Sequence, residues 1–323
     1  MHRIIVLCLA FGLDFAIGER LFHFLPHPVR LIGKVEEALE WVLRRAMPKR
    51  ARLAGIILCL AVVAGTYMVT LVTVNAIEGV LSRWSMVVLA VLLYTAIALK
   101  GLTSEAAKIT GFVKAGEMDR ARTGLKSLVG RDTGGLDAQS ALKAVIESLA
   151  ENASDGVLAP VFYYLIGGLP LAMAYKAVNT LDSMVGYRNE KYRLFGWASA
   201  RLDDLANLLP SRITGLSLCI ASAVTGSGFM GPAKVMLRDG RKHPSPNSGV
   251  PMAAMAGALD VTLGGPAMYG GRMVEKPFIG RGPLPIDAQR AEAAQRLTTL
   301  GCLIGAGLMA VLITVLASGL LHG

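Results

Sequence analysis

The sequence predicts an all-α integral membrane protein with about four full spans, broken or re-entrant helices, and cytoplasmic helical loops. Three observations lead there. Of 323 residues, 53% are hydrophobic and only 17% charged, whereas soluble domains carry roughly 25% charged residues. Mean hydropathy is +0.51. The basic residues behind the net charge of +10 gather between the apolar runs, as they do in cytoplasmic loops of membrane proteins. An excess of this size also suits an anionic substrate. No nucleic-acid-binding motif is present, so no nucleic-acid partner is expected.

The elements follow in order. Residues 4–17 are apolar after a short basic start, and Asp14 within them argues for a retained span over a cleaved signal. From 29 to 46, Ile32, Val35, Leu39, Val42 and Ala46 fall on one helical face. With Trp41 and a basic end, this reads as a helix lying in the membrane interface. Residues 53–77 and 84–99 are clear spans, and 298–321 is the last. Turns are expected near Gly116 and over 130–135, with Asp137 as the N-cap of a helix that buries Leu142, Val145, Ile146 and Leu149. Two further apolar stretches, 157–175 and 205–228, are interrupted by Gly167–Pro170 and by LPSR at 209–212. The chain reads as one membrane-embedded domain over 1–323, with polar helical insertions at 18–52, 100–156 and 229–297. Four cysteines in apolar stretches read as packing residues.

Charge orients the chain. The loops 18–52, 100–156, 176–204 and 229–297 carry eight, eight, five and nine Lys/Arg, and 78–83 is poor in them. If both interrupted stretches crossed fully, a basic loop would face outward. Re-entrant segments avoid this, and irregular backbone at membrane depth needs protein or water around it.

The polar residues that ordinary surface does not explain cluster from 147 to 212. Glu147, Glu151 and Asp155 are spaced i, i+4, i+8 on a continuing helix. Either they form a solvated face, or a cation such as Mg²⁺ compensates their repulsion. Lys176, Asn179, Asp182 and Ser183 share roughly one helical face. Arg188, Lys191 and Tyr192 follow, then Arg201, Asp203, Asp204 and Asn207. Lipid headgroups would explain the bases. The mixture of acids, bases and amides suits a site holding phosphates and metal. No phosphate loop, dinucleotide fingerprint or serine-nucleophile motif is present.

The stretches ESLAENASDG, NTLDSMVGYRNEKY, FGWASARLDDLANLLPSR and HPSPNSGVPMAAMAGAL, with HPVRLIGK and VGRDT, closely resemble the membrane-bound CobD/CbiB family of cobalamin biosynthesis, the adenosylcobinamide-phosphate synthases. The resemblance spans nearly the whole chain. It implies ATP-dependent ligation of aminopropanol, or its O-phosphate, to a propionate carboxylate of adenosylcobyric acid. ATP and Mg²⁺ would be required, at the cytoplasmic face of the plasma (inner) membrane. On that basis Glu151, Asp155 and Asp182 are expected to hold Mg²⁺. Arg188, Lys191, Arg201 and Arg212 are expected to contact phosphates or corrin carboxylates, and Asn152, Asn179 and Asn207 to orient amides. Asp203 or Asp204 is the expected base for the amine proton. His27, Glu147, Lys176, Tyr192, His243 and Asn247 complete the expected substrate and nucleotide contacts. A corrinoid transporter and a regulatory membrane protein of the AmpE type are the alternative functions. The number of assembled chains stays open, a homo-oligomer included.

Overall fold

A computed structural model describes residues 2–18, 28–187 and 189–322. Among them are thirteen α-helices and two short antiparallel ribbons. Four stretches are long and apolar enough to cross a membrane: Ala51–Leu81, Ser85–Lys114, Ala138–Val185 and Ala288–Leu316. The protein is thus an all-α membrane protein; the expected span 53–77 lies inside the first of these stretches, and 84–99 and 298–321 overlap two others. The fourth differs. Helix α1 (His2–Ile17), which contains the expected first span, has 16 residues. It is about 24 Å long, shorter than the hydrocarbon core. The fourth stretch instead contains the interrupted segment 157–175. A π-helical turn over Ala153–Leu158 joins α7 (Ala138–Asn152) to α8 (Ala159–Val185), so the polar residues 147–155 do not end the helix.

The chain divides into two compact units, each assembled from segments distant in sequence. Unit 1 comprises Met1–Ala98, Ala159–Asn207 and Met309–Gly323; unit 2 comprises Leu99–Leu158 and Leu208–Leu308.

In unit 1, α3 (Ala51–Leu81) packs along α8, with α2 (Pro28–Ala46) and α9 (Trp197–Ala206) against both. Helix α1 packs on α4 (Ser85–Tyr94). The interruption expected at Gly167–Pro170 is a kink: Gly168 has φ 73°, a left-handed value that glycine adopts without a Cβ clash. Pro170 has no N–H to offer the Ile166 carbonyl. Arg3 takes over, its Nη1 donating to Leu165 O and Ile166 O at 2.9 Å each. Such a satisfied break is the kind an apolar environment tolerates.

Helix α2 turns differently from the expected face. Ile32 is buried, but Val35 and Val42 are exposed, and the inward line runs through Ile32, Gly33 and Glu36. Gly33 faces the Met184 sulfur, which a Cβ would meet at 3.3 Å. The outward line Leu31, Val35, Val42 keeps the amphipathic character of an interfacial helix. Glu36 is fully buried, and both its carboxylate oxygens lack a hydrogen-bond partner among the described residues. Burial, then Glu40 and Glu37, push its pKa up to about 8, so the group is neutral at neutral pH.

In unit 2, α5 (Leu99–Lys114) and α6 (Met118–Leu125) pack with α7. Helix α12 (Gly249–Leu259) lies between α10 (Leu208–Val224), α11 (Met230–Asp239) and α7. Nearly every residue of α12 is buried, as its all-round apolar sequence requires. Helix α13 (Ala288–His322) starts ten residues before the expected 298. The LPSR sequence is the first turn of α10, not an interruption, because proline is tolerated where helix N–H groups have no partner anyway. Strand β1 (Leu263–Gly264) pairs with β4 (Phe278–Ile279), and β2 (Ala267–Tyr269) with β3 (Arg272–Val274). Cys59, Cys219 and Cys302 are buried and Cys8 is exposed, all as free thiols.

Backbones approach closely where the segment after α8 crosses α3. A Cβ on Gly55 would collide with the Phe195 carbonyl, and one on Gly196 with the Val185 carbonyl. Gly65, also on α3, has open space. Gly55→Ala is therefore expected to destabilise the protein by about 1–3 kcal/mol, while Gly65→Ala does not. Thermal melting of the two variants in detergent checks this; equal midpoints would refute the close approach.

Candidate active site

The acidic face of α7 is positioned by its N-cap: Asp137 Oδ1 accepts from Ser140 N–H at 2.8 Å. Ten residues on, Glu147 is 9% exposed and bound on both sides. Its Oε2 pairs with Arg131, and its Oε1 accepts the Gly264 N–H at 2.7 Å. Nearby, Asp132 accepts N–H groups from Gly270 and Gly271 at 3.1 and 2.7 Å. The loop 129–133 is thus tied to β1 and to the β2–β3 turn, and Glu147 is a strut of the wall more than a free ligand.

Glu151 stands one turn further and accepts from Ser248 Oγ at 2.8 Å. Ser248 belongs to the turn-rich segment that leads into α12. Within it, Ser245 Oγ accepts from the N–H groups of Asn247 and Ser248 at 3.3 and 3.2 Å, and His243 Nδ1 accepts from Ser245 N–H at 3.1 Å. His243 is held below the ordinary imidazole value, first by burial and also by Lys276, while Glu151 and Glu147 oppose this. Arg212 closes the loop from α10: its Nη1 donates to Asn247 Oδ1 at 2.7 Å, and its Nη2 to Pro246 O at 3.2 Å. Arg212 and Asn247 therefore hold each other. Asn152 donates to Ser148 O and Oγ at 3.0 and 3.1 Å, within its own helix.

A cavity of about 110 Å³ lies in unit 2, with Arg131, Glu147, Glu151, His243, Tyr269 and Lys276 in its wall. Lys276 Nζ lies 2.5 Å from the Tyr269 hydroxyl. Another buried acid, Asp239, supports the region: Arg238, Lys242 and the Gly280 N–H surround it, and Arg238 foremost holds its carboxyl well below the usual range.

The expected residues of unit 1 form a second cluster where α8 meets α9. Asn179 and Asp182 on α8 stand beside Asp203 on α9. Asp203 Oδ1 is buried without a hydrogen-bond partner, as is Asn207 Nδ2. Burial, then the neighbouring Asp182 charge, raise the Asp203 pKa to about 7; the Asn207 and Asn179 amides pull the other way. Asn207 is fixed by Tyr175, whose hydroxyl donates to Asn207 Oδ1 at 2.7 Å, and Tyr175 stacks on Tyr163 at 5.1 Å between centroids. Asp204 is different: it pairs with Arg201 at 3.6 Å, with the arginine largely exposed. Lys176 lies on the same face of α8, two turns before Ser183.

Lys191 and Tyr192 are anchored on α2. Glu40 meets Lys191 Nζ at 3.7 Å and the Tyr192 hydroxyl at 3.5 Å, and Arg44 donates to Lys191 O at 3.1 Å. His27 and Arg188 lie outside the described residues.

Among the described residues no three His, Cys, Asp or Glu side chains form a group able to hold a metal. Of the three carboxylates expected around Mg²⁺, Glu151 and Asp155 belong to unit 2 and Asp182 to unit 1. The donors around Glu151 are hard oxygens, and Mg²⁺ asks for one or two carboxylates besides substrate phosphates, so Glu151 and Asp155 fit that requirement. The sequence reading missed Glu40, Arg44, Arg131, Ser248 and Lys276. VGRDT contained Arg131 and HPSPNSGVP contained Ser248, but their partners lie more than a dozen residues away and no spacing rule connects them.

The family model described as CobD/Cbib protein matches residues 7–298. A Geobacter metallireducens relative named cobalamin biosynthesis protein CobD is 46% identical over 285 residues, 88% of this chain and 89% of the relative. A relative of the same name from Clostridium perfringens is 42% identical over 276 residues, 85% of this chain and 87% of its own. One from Rhodobacter capsulatus is 38% identical over 320 residues, 97% and 99% of the two chains. No solved structure matches this chain.

The Arg131–Glu147 pair is expected to couple by roughly 1–3 kcal/mol in a double-mutant cycle of Arg131→Met and Glu147→Gln. Its side chains are only 12% and 11% exposed, so solvent screens it little. Chemical or thermal unfolding of the four proteins measures it, and additivity of the two substitutions would remove the strut.

Proposed function

This chain belongs to the CobD/CbiB family and is a membrane enzyme of cobalamin biosynthesis, and from that premise we propose that it forms an amide bond on a corrinoid carboxylate. The reaction joins the amine of aminopropanol, or of its O-phosphate, to a propionate carboxylate of adenosylcobyric acid with consumption of ATP. The product is adenosylcobinamide or its phosphate. The site faces the cytoplasm, where ATP is, from the plasma (inner) membrane.

The chemistry sets the requirements. A carboxylate is a poor electrophile. Phosphoryl transfer from ATP to one carboxylate oxygen gives an acyl phosphate. The amine nitrogen then attacks its carbonyl carbon, the C–N bond forms, the C–O bond to phosphate breaks, and one proton leaves the nitrogen. A group must receive that proton, and the best acceptor has a pKa near the working pH.

The observation that carries this reading is Asp203. Its Oδ1 is buried without a partner, and its pKa stands at about 7 beside Asp182. Asp204 is paired with Arg201, so of the two expected bases we assign the proton to Asp203. Asn207, locked by Tyr175, and Asn179 would present amides to the corrin periphery, with Lys176 beside them. Lys191 and Tyr192, set by Glu40, and Arg188, Arg201 and Arg212 are assigned to phosphate and carboxylate contacts. In unit 2, Glu151 and Asp155 would hold Mg²⁺, which supplies neutralisation of phosphate charge. Asp182 is assigned to tuning Asp203.

The test is ligation by the purified protein in detergent, with ATP, Mg²⁺, adenosylcobyric acid and aminopropanol phosphate. Amide product is expected. Folded protein that makes none would count heavily against the proposal. Asp203→Asn should lower turnover by roughly 10²–10⁴-fold and Asp204→Asn should leave it near wild type; the reverse order would exchange the two assignments.

The pH profile supplies an independent check. Asp203 accepts a proton only as the anion, so turnover should rise with pH through about 7. Asp182 raises that value by like-charge repulsion, so Asp182→Asn should move the acidic limb to lower pH. A limb that stays in place would show that Asp182 does not act through Asp203.

A further inference from the structure

The small cavity of unit 2 contains a cation that the chemistry above does not use. Lys276 stands in its wall with Arg131, Glu147, Glu151 and His243. Arg131 and Glu147 neutralise each other. Glu151 accepts from the Ser248 hydroxyl and forms no ion pair among the described residues. Lys276 is held by Tyr269: its Nζ donates to the hydroxyl at 2.5 Å and lies 4.6 Å from the ring centroid. That hydrogen bond uses one N–H of an ammonium that has three. The wall therefore presents a carboxylate and a positioned ammonium, neither of them ion-paired among the described residues.

His243 adds a directed donor. Its Nδ1 accepts from Ser245 N–H at 3.1 Å, so its own proton stands on Nε2. Burial foremost keeps the ring below the ordinary imidazole value, and it is neutral near pH 7. A phosphate entering alone would be repelled by Glu151. A phosphate entering with Mg²⁺ would not, because Mg²⁺ is bound by one or two carboxylates together with substrate phosphates. A lysine then meets the remaining oxygens as a point charge. The volume of about 110 Å³ is well below the roughly 300–1,000 Å³ that encloses a whole drug-sized ligand, so only the head of a substrate enters.

We propose that this cavity seats a phosphate-ester group, with Lys276 and the His243 Nε2–H on its oxygens and Mg²⁺ between it and Glu151. The inference rests on the reading of Glu151 as a Mg²⁺ ligand. Under that reading two substrates carry such a group, ATP and the O-phosphate of the amine, and the cavity recognises the chemistry they share.

The test reads binding, not turnover. The full chain in detergent is titrated by calorimetry, with and without Mg²⁺, against a non-hydrolysable ATP analogue, aminopropanol O-phosphate and inorganic phosphate. The wild type is expected to bind at least one of the two esters in a Mg²⁺-dependent way. Lys276→Gln should weaken that ester roughly 10–100-fold at an unchanged melting temperature, and the ester that responds identifies the source. Glu151→Gln removes the metal ligand and the repelling charge together, so the binding that remains should no longer depend on Mg²⁺. A merely structural role for these residues would not produce that change. Arg272→Gln, an exposed charge on the β3 ribbon, should alter neither affinity. Wild-type protein that binds neither ester, or binds them equally without Mg²⁺, overturns the proposal. So does Lys276→Gln protein with wild-type affinity for both. Inorganic phosphate bound as tightly as the esters would make the cavity a site for free phosphate and would overturn the substrate assignment. Protein that shows the expected binding but forms no amide would refute the ligation reading and leave the phosphate seat standing.

Discussion

A carboxylate withdrawn from water must be given a cation, several N–H donors or a proton, and the structure depends on how each buried acid meets that demand. Three acids of unit 2 meet it with partners, and each takes at least one of them from a distant segment. Glu147 takes Arg131 and the Gly264 N–H, Asp239 takes Arg238, Lys242 and the Gly280 N–H, and Glu151 takes Ser248. Each pairing ties a loop to a helix. Remove these acids and the 129–133 loop, the ribbons and the 243–251 loop lose their common anchor. Two acids of unit 1 meet the demand with a proton. Glu36 and Asp203 have buried oxygens without partners, and their pKa values rise to about 8 and about 7.

This difference separates scaffold from chemistry. Arg238 foremost, with Lys242 and the Gly280 N–H, holds the Asp239 carboxyl well below the usual range. Burial and then Asp182 raise the Asp203 pKa to about 7, while the Asn207 and Asn179 amides pull it down. Cobalamin biosynthesis by this family is reached through sequence similarity. The assignment of a proton acceptor within it is argued from the electrostatics of one α8–α9 corner. Adjacent residues of identical type, Asp203 and Asp204, differ in surroundings: one stands beside Asp182 and the other pairs with Arg201.

The backbone obeys the same rule. Where α8 breaks at Gly168 and Pro170, the carbonyls of Leu165 and Ile166 would be orphaned, and Arg3 supplies their donors. Where the segment after α8 crosses α3, glycines at 55 and 196 allow carbonyls to approach without a Cβ in the way. The first device satisfies backbone carbonyls that the helix cannot satisfy itself; the second makes room for close backbone packing.

Much of this was legible in the sequence. Composition and apolar runs determined the class and three of the spans, because burial in lipid leaves a signal residue by residue. Gly167–Pro170 announced the kink and Asp137 the N-cap, since both rest on local backbone chemistry. The motifs determined the family. The i, i+4, i+8 spacing of the acids at 147–155 suited a continuing helix, but local signals could not determine that a π-helical turn carries it on into the next apolar stretch. Nor could they determine which side of α2 faces the protein, which Gly33 and its contact with Met184 decide. Which acid is clamped by partners and which keeps a buried oxygen without one was also beyond the sequence. A pKa is set by neighbours in space, and the Asp182 and Asn179 that act on Asp203 come from another helix, which only the tertiary structure brings beside it.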